Sequence, residues 1–440
     1  MKARWNLHKI CLLSAMWLLP AAAQAQFTFI TNADNTIAIT GYTGSGGDVT
    51  IPGSIGQFPV TSIGKMAFAY SYLGSVTIPD SVTNIGYSAF SLCRNLTNVT
   101  FGQAVASIGS YGFSGCSALT SVTLPNSVTT IAGSAFANCH SLTSVTMGNR
   151  VASLGDDAFY YCQSLTNLMI PDSVTSIGYG AFAGCGSLAK VQIPHRVTSL
   201  GDSAFADCGS LVTVQISDSV TSIGYDSFDR CGSLTAINVD TNNPAYSSSQ
   251  GVFFDKRQTT LIHYPAGNGA TSYTIPNSVT SINFFAFQGC LNLTNLFIPE
   301  SVAYIGDQAF AGCSNLTAAY FQGNAPSLGS TAIFSDNGAV YYLPGTLGWS
   351  TTFDGRPTAP WTLPYPVILN HQSGFGLLAG RFHFTISWAT NLSVVVEAST
   401  NLFAPVWLAV QTNTLTGGSS YFGDPQWTNY PQRYYRLRSP

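Results

Sequence analysis

Cysteine recurs along this chain at a nearly constant spacing. Six successive gaps between cysteines are 23 residues long, the seventh is 59, and the last is 23 again. A fixed period of roughly 20 to 50 residues indicates a repeat architecture in which each unit stacks on the next. This spacing constrains the chain more than any other feature of the sequence. The series comprises Cys93, Cys116, Cys139, Cys162, Cys185, Cys208, Cys231, Cys290 and Cys313.

Phenylalanine and leucine recur with the same period, so each repeat carries several apolar positions. The repeat over residues 119–141 reads LTSVTLPNSVTTIAGSAFANCHS. Its Val122 and Leu124 fall on one face of a short strand. Its Phe136 and Cys139 fall on one face of a single helical turn. One coil cannot bury these side chains alone, but stacked coils form a continuous core.

Glycine precedes the predicted helical turn in most repeats, and aspartate often follows the glycine. Asp156 and Asp202 occupy this position. Because a carboxylate stabilises the N-terminus of a helix, we expect these aspartates to cap the turn. Capping also accounts for the adjacent carboxylates Asp156 and Asp157 without invoking acid–base catalysis.

The cysteines occur once per repeat and in apolar surroundings, as in the run AFAGC that ends at Cys185. Their odd number prevents complete pairing within the chain, and zinc ligands would have to occur in clusters. Free cysteine is among the most buried residue types. We therefore predict a buried column of free thiols without a disulfide or metal-binding role.

The run IPDSVTSIGYGAFAGC, residues 170–185, resembles the repeats of bacterial BspA-like leucine-rich repeat surface proteins. The resemblance extends over about residues 50–345. It implies a leucine-rich-repeat solenoid with a parallel strand on the concave face of every coil. It also implies a secreted or cell-surface protein for adhesion or protein binding, without common catalytic residues and without a cofactor.

Together these patterns predict a β-rich leucine-rich-repeat solenoid of about eleven 22–23-residue coils with short helical turns, followed by a small β-sandwich domain. Two β-rich runs, residues 251–254 and 259–264, flank a polar turn and predict a hairpin within the array. The predicted organisation is a signal peptide at 1–25, an N-terminal cap at 26–50, the solenoid at 51–345 with a hairpin-containing long repeat at about 238–274, a cap and proline-rich linker at 346–370, and a C-terminal β-sandwich module at 371–440.

The N-terminus has the three parts of a secretory signal peptide. Lys2 and Arg4 lie in a basic region, residues 10–19 are largely apolar, and Ala23 and Ala25 fit a cleavage site. Cleavage after Ala25 removes three basic residues and no acidic ones, which changes the formal charge from −3 to −6. We expect a mature protein that is extracellular, on the cell surface or in the periplasm, and peripheral rather than membrane-spanning.

Aromatic residues accumulate where the repeat pattern ends. We interpret Tyr341, Tyr342, Trp349 and Trp361 as a cap over the last coil, because an uncovered solenoid end exposes an apolar face.

The C-terminal module has a different composition. Phe384 and Ile386 alternate with polar residues, as in a half-buried strand. The module resembles immunoglobulin-like C-terminal modules of secreted bacterial proteins. Arg433, Arg436 and Arg438 predict a local basic patch, which serves either solubility or a docking or export role.

Charged residues make up only 8% of the chain, against about a quarter in a typical soluble protein. This excludes a charge-driven nucleic-acid binder. The five histidines after the signal peptide fall in different units, and metalloprotease, hydrolase and P-loop motifs are absent. We therefore predict no enzymatic activity and no cofactor, with a carbohydrate-active enzyme as the least favoured alternative.

The outward positions of the predicted strands form the candidate ligand-binding surface. They are small or amide-bearing polar residues, and Lys190 is the one charged residue among them. We predict that this concave face binds an unknown protein or glycan ligand. The alternative is a structural component of the envelope or extracellular matrix, in which these polar side chains only keep the sheet soluble. The candidate residues are Asn98, Thr100, Ser121, Thr123, Ser144, Thr146, Asn167, Lys190, Gln192, Thr213 and Gln215.

Overall fold

The computed structural model describes residues 26–330, 338–369 and 375–439. The chain forms two compact units, Met1–Cys231 and Gly232–Pro440, here called unit 1 and unit 2. The signal peptide over residues 1–25 lies outside the described residues, as does His371, and it stays a prediction.

One parallel strand from each coil forms the first face of unit 1, here called the long-strand face. Central residues of these strands are buried, and their neighbours point outward, as expected for strand alternation. Successive strands pair in register within three separate groups, so that Ser121 lies opposite Ser144 and Val122 opposite Val145. The pairing is interrupted between Asn98–Thr100 and Ser121–Thr123 and between Asn167–Leu168 and Lys190–Gln192. The strands are Gly47–Thr50, Leu73–Thr77, Asn98–Thr100, Ser121–Thr123, Ser144–Thr146, Asn167–Leu168, Lys190–Gln192 and Thr213–Ile216.

Shorter strands form a second parallel ladder on another side of each coil in unit 1. The ladder is closed at its N-terminal edge by Phe27–Thr31, which pairs antiparallel with Ile37–Tyr42. A small hairpin joins Ser54–Ile55 to Phe58–Ile63. The two-residue strands that follow are Asn84–Ile85, Ser107–Ile108, Thr130–Ile131, Ser153–Leu154, Ser176–Ile177, Ser199–Leu200 and Ser222–Ile223.

The segment between the short strand and the cysteine forms successive turns, so the prediction of a helical turn here was wrong. The N–H of Phe136 donates to the carbonyl of Ala158 in the next coil at 2.8 Å, whereas that of Ala137 donates back to Ser134 at 3.1 Å. Ser134 and Asn138 have φ angles of 56° and 60°. Left-handed residues occur singly and not within helices. Because alternate amides bond to the next coil, no helix can form.

The aspartates predicted to cap a helix bond instead to the neighbouring coil. Oδ1 of Asp156 accepts the N–H of Tyr179 at 2.8 Å, and Oδ1 of Asp202 accepts that of Tyr225 at 2.8 Å. Each carboxylate thus satisfies an amide one repeat further along the chain. The aspartates therefore accept backbone N–H groups, as predicted, but these groups belong to the next coil and not to a helix N-terminus.

Phenylalanine rings stack through unit 1 as one continuous buried column. The centroids of Phe136 and Phe159 are 5.4 Å apart with an interplanar angle of 4°, and those of Phe159 and Phe182 are 5.4 Å apart at 1°. The column explains why phenylalanine recurs at this position, since each ring contacts the ring of the next coil. Its members are Phe68, Phe90, Phe113, Phe136, Phe159, Phe182, Phe205 and Phe228.

The cysteines form a second buried column, and all of those described are free. Each thiol donates to a backbone carbonyl of the preceding coil, as Cys162 does to Phe136 at 3.2 Å. Burial raises the pKa of Cys139 and of Cys208 to about 12. The interpretation of the cysteines as buried free thiols is confirmed.

We expect these thiols to resist alkylation in the folded protein. Burial excludes the reagent from the whole column, and the raised pKa of Cys139 and Cys208 also keeps their reactive thiolates scarce at neutral pH. Intact-mass analysis after iodoacetamide treatment should show little labelling without denaturant and labelling of every cysteine in guanidinium chloride. Rapid labelling of the folded protein, or disulfide-linked peptides from unreduced protein, would contradict the buried column.

Unit 2 continues the solenoid after an antiparallel insertion. The insertion consists of Tyr246–Ser249, Val252–Asp255 and Thr260–His263, and the last two strands form a hairpin where the sequence predicts one. The other strands of this part are Ala236–Val239, Ser272–Thr274, Ser281–Ile282, Asn295–Ile298, Tyr304–Ile305, Ala318–Phe321, Ser327–Leu328, Ala339–Tyr342, Thr352–Phe353 and Arg356–Pro360.

The four aromatic residues interpreted as a cap divide between two locations. Tyr342 and Trp349 stack at 5.1 Å and 6° and pack against the solenoid core of unit 2. Tyr341 lies on the outward side of its strand, where it stacks on Tyr320 at 5.0 Å. Trp361 packs against the same Tyr320 ring at 4.9 Å. Strand alternation separates the adjacent residues Tyr341 and Tyr342 in this way.

The C-terminal part of unit 2 is a sandwich of two antiparallel sheets. The apolar residues that alternate along Arg381–Ser387 face those of Ser393–Ser399, and Phe384, Val394 and Val396 form its core. One sheet contains Val367–Leu369, Phe375–Leu378, Arg381–Ser387 and Ser419–Asp424, and the other contains Ser393–Ser399, Leu408–Thr414 and Tyr434–Arg438. Two 3₁₀ helices, Thr416–Gly418 and Trp427–Asn429, lie in its loops.

The predicted fold class, a β-solenoid followed by a small sandwich, is confirmed. The solenoid has about 13 turns instead of eleven. The prediction counted phenylalanine columns, but in one coil Tyr264 takes the phenylalanine position and stacks on Phe287 at 5.0 Å. Strand Arg356–Pro360 also extends the ladder beyond Ala339–Tyr342.

Candidate functional site

The eleven candidate residues lie together on the long-strand face of unit 1, in two parallel columns. Ser121, Ser144 and Asn167 are successive partners in the first column. Thr123 pairs with Thr146 in the second column. The two columns flank a central row of buried valines, interrupted by the half-buried Leu168, so they mark the outward positions that strand alternation predicts.

Nine of the eleven side chains are exposed, and Ser144 and Thr213 are half-buried. Lys190 is the only one that carries a charge. It pairs with Thr213 in the first column, while Gln192 pairs with Gln215 in the second. The surface is therefore broad, polar and nearly uncharged.

The hydroxyls of neighbouring threonines on the same coils form hydrogen bonds within the protein. The hydroxyl of Thr97 donates to the carbonyl of Gly74 at 2.9 Å, and that of Thr143 donates to Thr120 at 3.0 Å. Thr166 continues this row by donating to Thr143 at 3.2 Å. These hydroxyls tie each coil to the preceding one and have a structural role.

The candidate residues differ from this row in their hydrogen bonding. Within the described parts of the chain, no hydrogen bond or ion pair joins any of the eleven side chains to the protein. Their donors and acceptors point outward into solvent. A ligand could therefore bond to them without breaking any internal bond.

The sequence-based set stops one coil short at its N-terminal end. Ser75 and Thr77 pair with Asn98 and Thr100 and extend the two columns. Ser75 donates to Oδ1 of Asp48 at 2.6 Å, which brings a carboxylate to this end of the face. The SVT triplet at residues 75–77 repeats that of later coils and would have identified the extension.

Met169 interrupts the second column. Its side chain is 82% exposed, although it occupies a position that is polar in the other coils of unit 1. The strand Asn167–Leu168 that precedes it is shorter than its neighbours. The face thus contains one apolar position between Thr146 and Gln192.

In unit 2 the second outward column becomes aromatic after Thr274, which pairs with Phe297. Phe297, Tyr320 and Tyr341 are successive partners in register. Phe297 and Tyr320 stack at 5.0 Å, and Trp361 packs against both rings. Ala318 is buried in spite of its outward position. These aromatic side chains contact one another, and the eleven candidate residues all lie in unit 1.

The histidines that the structure describes have separate environments. His140 bonds to the carbonyl of Tyr161 at 3.1 Å, and His195 lies 3.0 Å from Asp218 on the surface. Burial lowers the pKa of His263 to about 4. Among the described residues, no cluster of three His, Cys, Asp or Glu side chains is arranged to hold a metal ion.

The predicted basic patch of the C-terminal module is largely neutralised by partners on other strands. Arg436 and Arg438 each donate to Glu397 at 2.8 Å. Hydrogen bonds from Arg438 and Arg436 hold the pKa of Glu397 below its usual value. Arg433 lies 2.9 Å from the buried carboxylate of Asp424. The three arginines therefore do not form a free cationic surface.

The repeat array matches a known family. The model of the BspA type leucine-rich repeat region matches residues 49–166, 152–268 and 266–343, with six copies. The chain belongs to the BspA-type leucine-rich repeat family. All eleven candidate residues lie within the BspA-type region, whereas the C-terminal sandwich lies beyond it.

Solved structures include other leucine-rich repeat proteins. A leucine-rich cell surface protein from Faecalibacterium prausnitzii is 30% identical, with a TM-score of 0.53, over 72% of this chain and 86% of that protein. A leucine-rich repeat protein from Bacteroides ovatus is 22% identical, with a TM-score of 0.42, over 72% and 98%. The pneumococcal vaccine antigen PcpA is 20% identical, with a TM-score of 0.43, over 72% and 79%. A search of curated proteins found no match.

The helices in the described residues are too short or too polar to span a bilayer.

Proposed function

We propose that this BspA-type protein is a secreted or cell-surface, non-enzymatic binding protein. Its long-strand face between Asn98 and Gln215 binds an uncharged or weakly polar partner, either protein or glycan. The observation that carries the proposal is the pair of polar columns whose hydrogen-bonding groups have no partner within the described protein. The surface role of the F. prausnitzii relative supports the location.

The contrast between the two rows of hydroxyls favours binding over a purely structural role. A structural side chain at this distance from the backbone would be expected to bond to the adjacent coil, as Thr97 and Thr143 do. The side chains of Thr123 and Thr146 make no such bond. Regularly spaced, unpaired donors and acceptors fit a partner that makes many small contacts along several coils.

The near absence of charge predicts how binding responds to salt. Electrostatic steering needs a field of one sign over the binding surface. The candidate face has one cation, Lys190, so we expect affinity and association rate to change little between low and moderate salt. Surface plasmon resonance of a partner identified by glycan array, at two salt concentrations, measures this. A steep fall in association rate with salt would contradict an uncharged interface.

Paired substitutions on adjacent strands test the location of the binding surface. We expect Lys190→Glu with Gln192→Glu, and Thr213→Glu with Gln215→Glu, to weaken binding by at least about tenfold, since each adds desolvation cost and repulsion at the interface. These positions point outward, so circular dichroism should show unchanged folding. The measurement is the dissociation constant for a partner identified with the wild-type protein.

A matched control adds two glutamates, as each long-strand variant does, but at other exposed positions of unit 1. Gln163→Glu with Ser210→Glu adds two carboxylates at exposed turn positions outside the two columns. This variant should bind like wild type. If the folded long-strand variants also bind like wild type, the proposed surface is wrong.

A further inference from the structure

One loop of the C-terminal sandwich presents large apolar side chains to solvent. In the loop over residues 400–407, Phe403 is fully exposed, and Leu402 and Val406 are more than half exposed. The hairpin before strand Arg381–Ser387 adds Leu378, which is 62% exposed. Contiguous exposed apolar side chains mark an interaction surface more often than isolated ones do.

Hydrogen bonds place this loop and the hairpin at the same end of the sandwich. Nε1 of Trp427 donates to the carbonyl of Gly380 at 2.9 Å, which ties the loop over residues 425–433 to the hairpin. Nε2 of Gln432 donates to the carbonyl of Thr400 at 3.1 Å, which ties it to the apolar loop. We call the end formed by these three segments the apolar end.

The other end of the sandwich faces the rest of unit 2. Nε1 of Trp388 donates to the carbonyl of Leu363 at 3.0 Å. Gly345 lies so close to Ser419 that an added Cβ would be 2.9 Å from the serine Cβ. Ser419 is paired with Ser387 at the end opposite Arg381 and Leu378. The apolar end therefore points away from the solenoid part of unit 2.

Part of the backbone of the apolar loop is satisfied by nearby side chains. Oδ1 of Asn401 accepts the amides of Phe403 at 2.8 Å and Ala404 at 3.3 Å. The amide of Asn401 donates to the hydroxyl of Ser399 at 3.3 Å, and Pro405 has no N–H. Unsatisfied backbone groups are costly in hydrocarbon. These bonds lower the cost of removing the loop from water.

Arginine and aromatic side chains surround the apolar loop. Arg433 lies over the ring of Tyr430 at 4.4 Å, and Arg436 lies over the ring of Trp407 at 4.6 Å. Tryptophan, tyrosine and arginine are the residues that prefer the interface between hydrocarbon and headgroups. The arrangement places an apolar tip in front of an amphipathic rim.

The C-terminal module carries a net positive charge, whereas the rest of the mature chain carries a net negative charge. Residues 375–439 contain four arginines and two acidic residues, which gives a net charge of +2. Residues 26–374 contain nine basic and 17 acidic residues, which gives −8. An anionic surface therefore attracts the C-terminal module and repels the remainder.

We propose that the apolar end of the C-terminal sandwich is a peripheral lipid-binding surface, which inserts residues 400–407 into the headgroup region of an anionic bilayer. A protein partner would have to enclose a protruding phenylalanine. A bilayer accommodates the features present here: an apolar tip, a rim of aromatic and arginine side chains, and a module whose net charge is +2 although three of its arginines have acidic partners. This surface is distinct from the long-strand face and does not depend on its proposed role.

Vesicle co-sedimentation of the mature full-length chain tests the proposal. The probes are phosphatidylcholine vesicles with and without phosphatidylglycerol. We expect binding to the anionic vesicles that weakens with salt. Leu402→Ser with Phe403→Ser should lower the partition coefficient at least about tenfold, because two large apolar side chains no longer enter the bilayer. Met169→Ser, which removes an exposed methionine from unit 1, is the matched control and should bind like wild type.

Fluorescence gives a second readout that requires insertion. Brominated lipids should quench Trp407, and Trp407→Phe should remove that quenched component. Three results would overturn the proposal: wild-type protein that remains in the supernatant with both vesicle types, a folded double serine variant that binds normally, or a dimer that Phe403→Ser dissociates without any lipid binding. The last result would assign the apolar end to a second copy of the chain.

Discussion

Deletion of one complete coil, Leu142–Ser164, is expected to leave unit 1 folded with a modest loss of stability. Asn167 pairs with Ser144 in the register in which Ser144 pairs with Ser121. After the deletion, the strand at Asn167 can therefore pair directly with that at Ser121. Stability in such an array is roughly a sum over coils and their interfaces. At typical stability per residue, the loss of 23 residues costs about 1–3 kcal/mol.

A deletion of about half a coil is the matched control. Removing Val151–Cys162 leaves too little chain between the strands Ser144–Thr146 and Asn167–Leu168 to pass around the core, so the parallel pairing cannot form. We expect this variant to lose its cooperative urea transition, although it lacks fewer residues. Urea denaturation followed by circular dichroism compares the two. Equal losses of unfolding free energy in the two variants would argue against nearest-neighbour stacking.

The solenoid could be predicted because its main contacts join identical positions in successive repeats. The ring of Phe159 contacts those of Phe136 and Phe182. Because every coil needs a ring at this position, phenylalanine recurs once per coil in the sequence. The same holds for the thiol of Cys162, which bonds to the preceding coil. Periodicity in the sequence therefore reports directly on packing between coils.

The sequence of a single repeat does not distinguish one helical turn from the successive non-helical turns that the structure has. Phe136 and Cys139 share one side of the segment in either conformation. The choice is made by hydrogen bonds between coils, such as that from Phe136 to Ala158. The sequence also gives no glycine signal for this turn conformation, because residues other than glycine, including Ser134 and Tyr161, occupy the left-handed positions.

The candidate face shows a similar limit. Strand alternation predicts that Thr123 points outward while Val122 is buried, and both predictions hold. The sequence does not show that Thr120 donates to the carbonyl of Thr97 while Thr123 has no internal partner. The difference arises from the distance of each hydroxyl to the backbone of the adjacent coil, which depends on the packed structure.

The arginines of the last strand illustrate the same point for charge. Arg436 and Arg438 share a face, as their spacing predicts. Glu397, which neutralises them, is contributed by the adjacent strand Ser393–Ser399. Because strand pairing in the sandwich follows no repeat, the sequence does not show which acidic residue faces them.

Replacement of Phe182 by alanine is expected to cost about 3–5 kcal/mol of unfolding free energy, as do other large buried aromatic side chains. Phe182 is fully buried and stacks on Phe159 at 5.4 Å and on Phe205 at 5.3 Å. The substitution therefore leaves a cavity between two rings that cannot close without shifting the coils. The shift in the urea midpoint, with the slope of the transition held constant, measures the loss.

Tyr179→Ala provides the control within the same coil, because this aromatic side chain is 53% exposed and lies outside the core column. Its backbone amide keeps the hydrogen bond to Asp156 after the substitution. A surface change of this kind usually alters stability by no more than about 0.5 kcal/mol. The comparison separates the loss of a stacked ring from the loss of aromatic surface in general. Similar costs for the two variants would show that the column does not stabilise the solenoid.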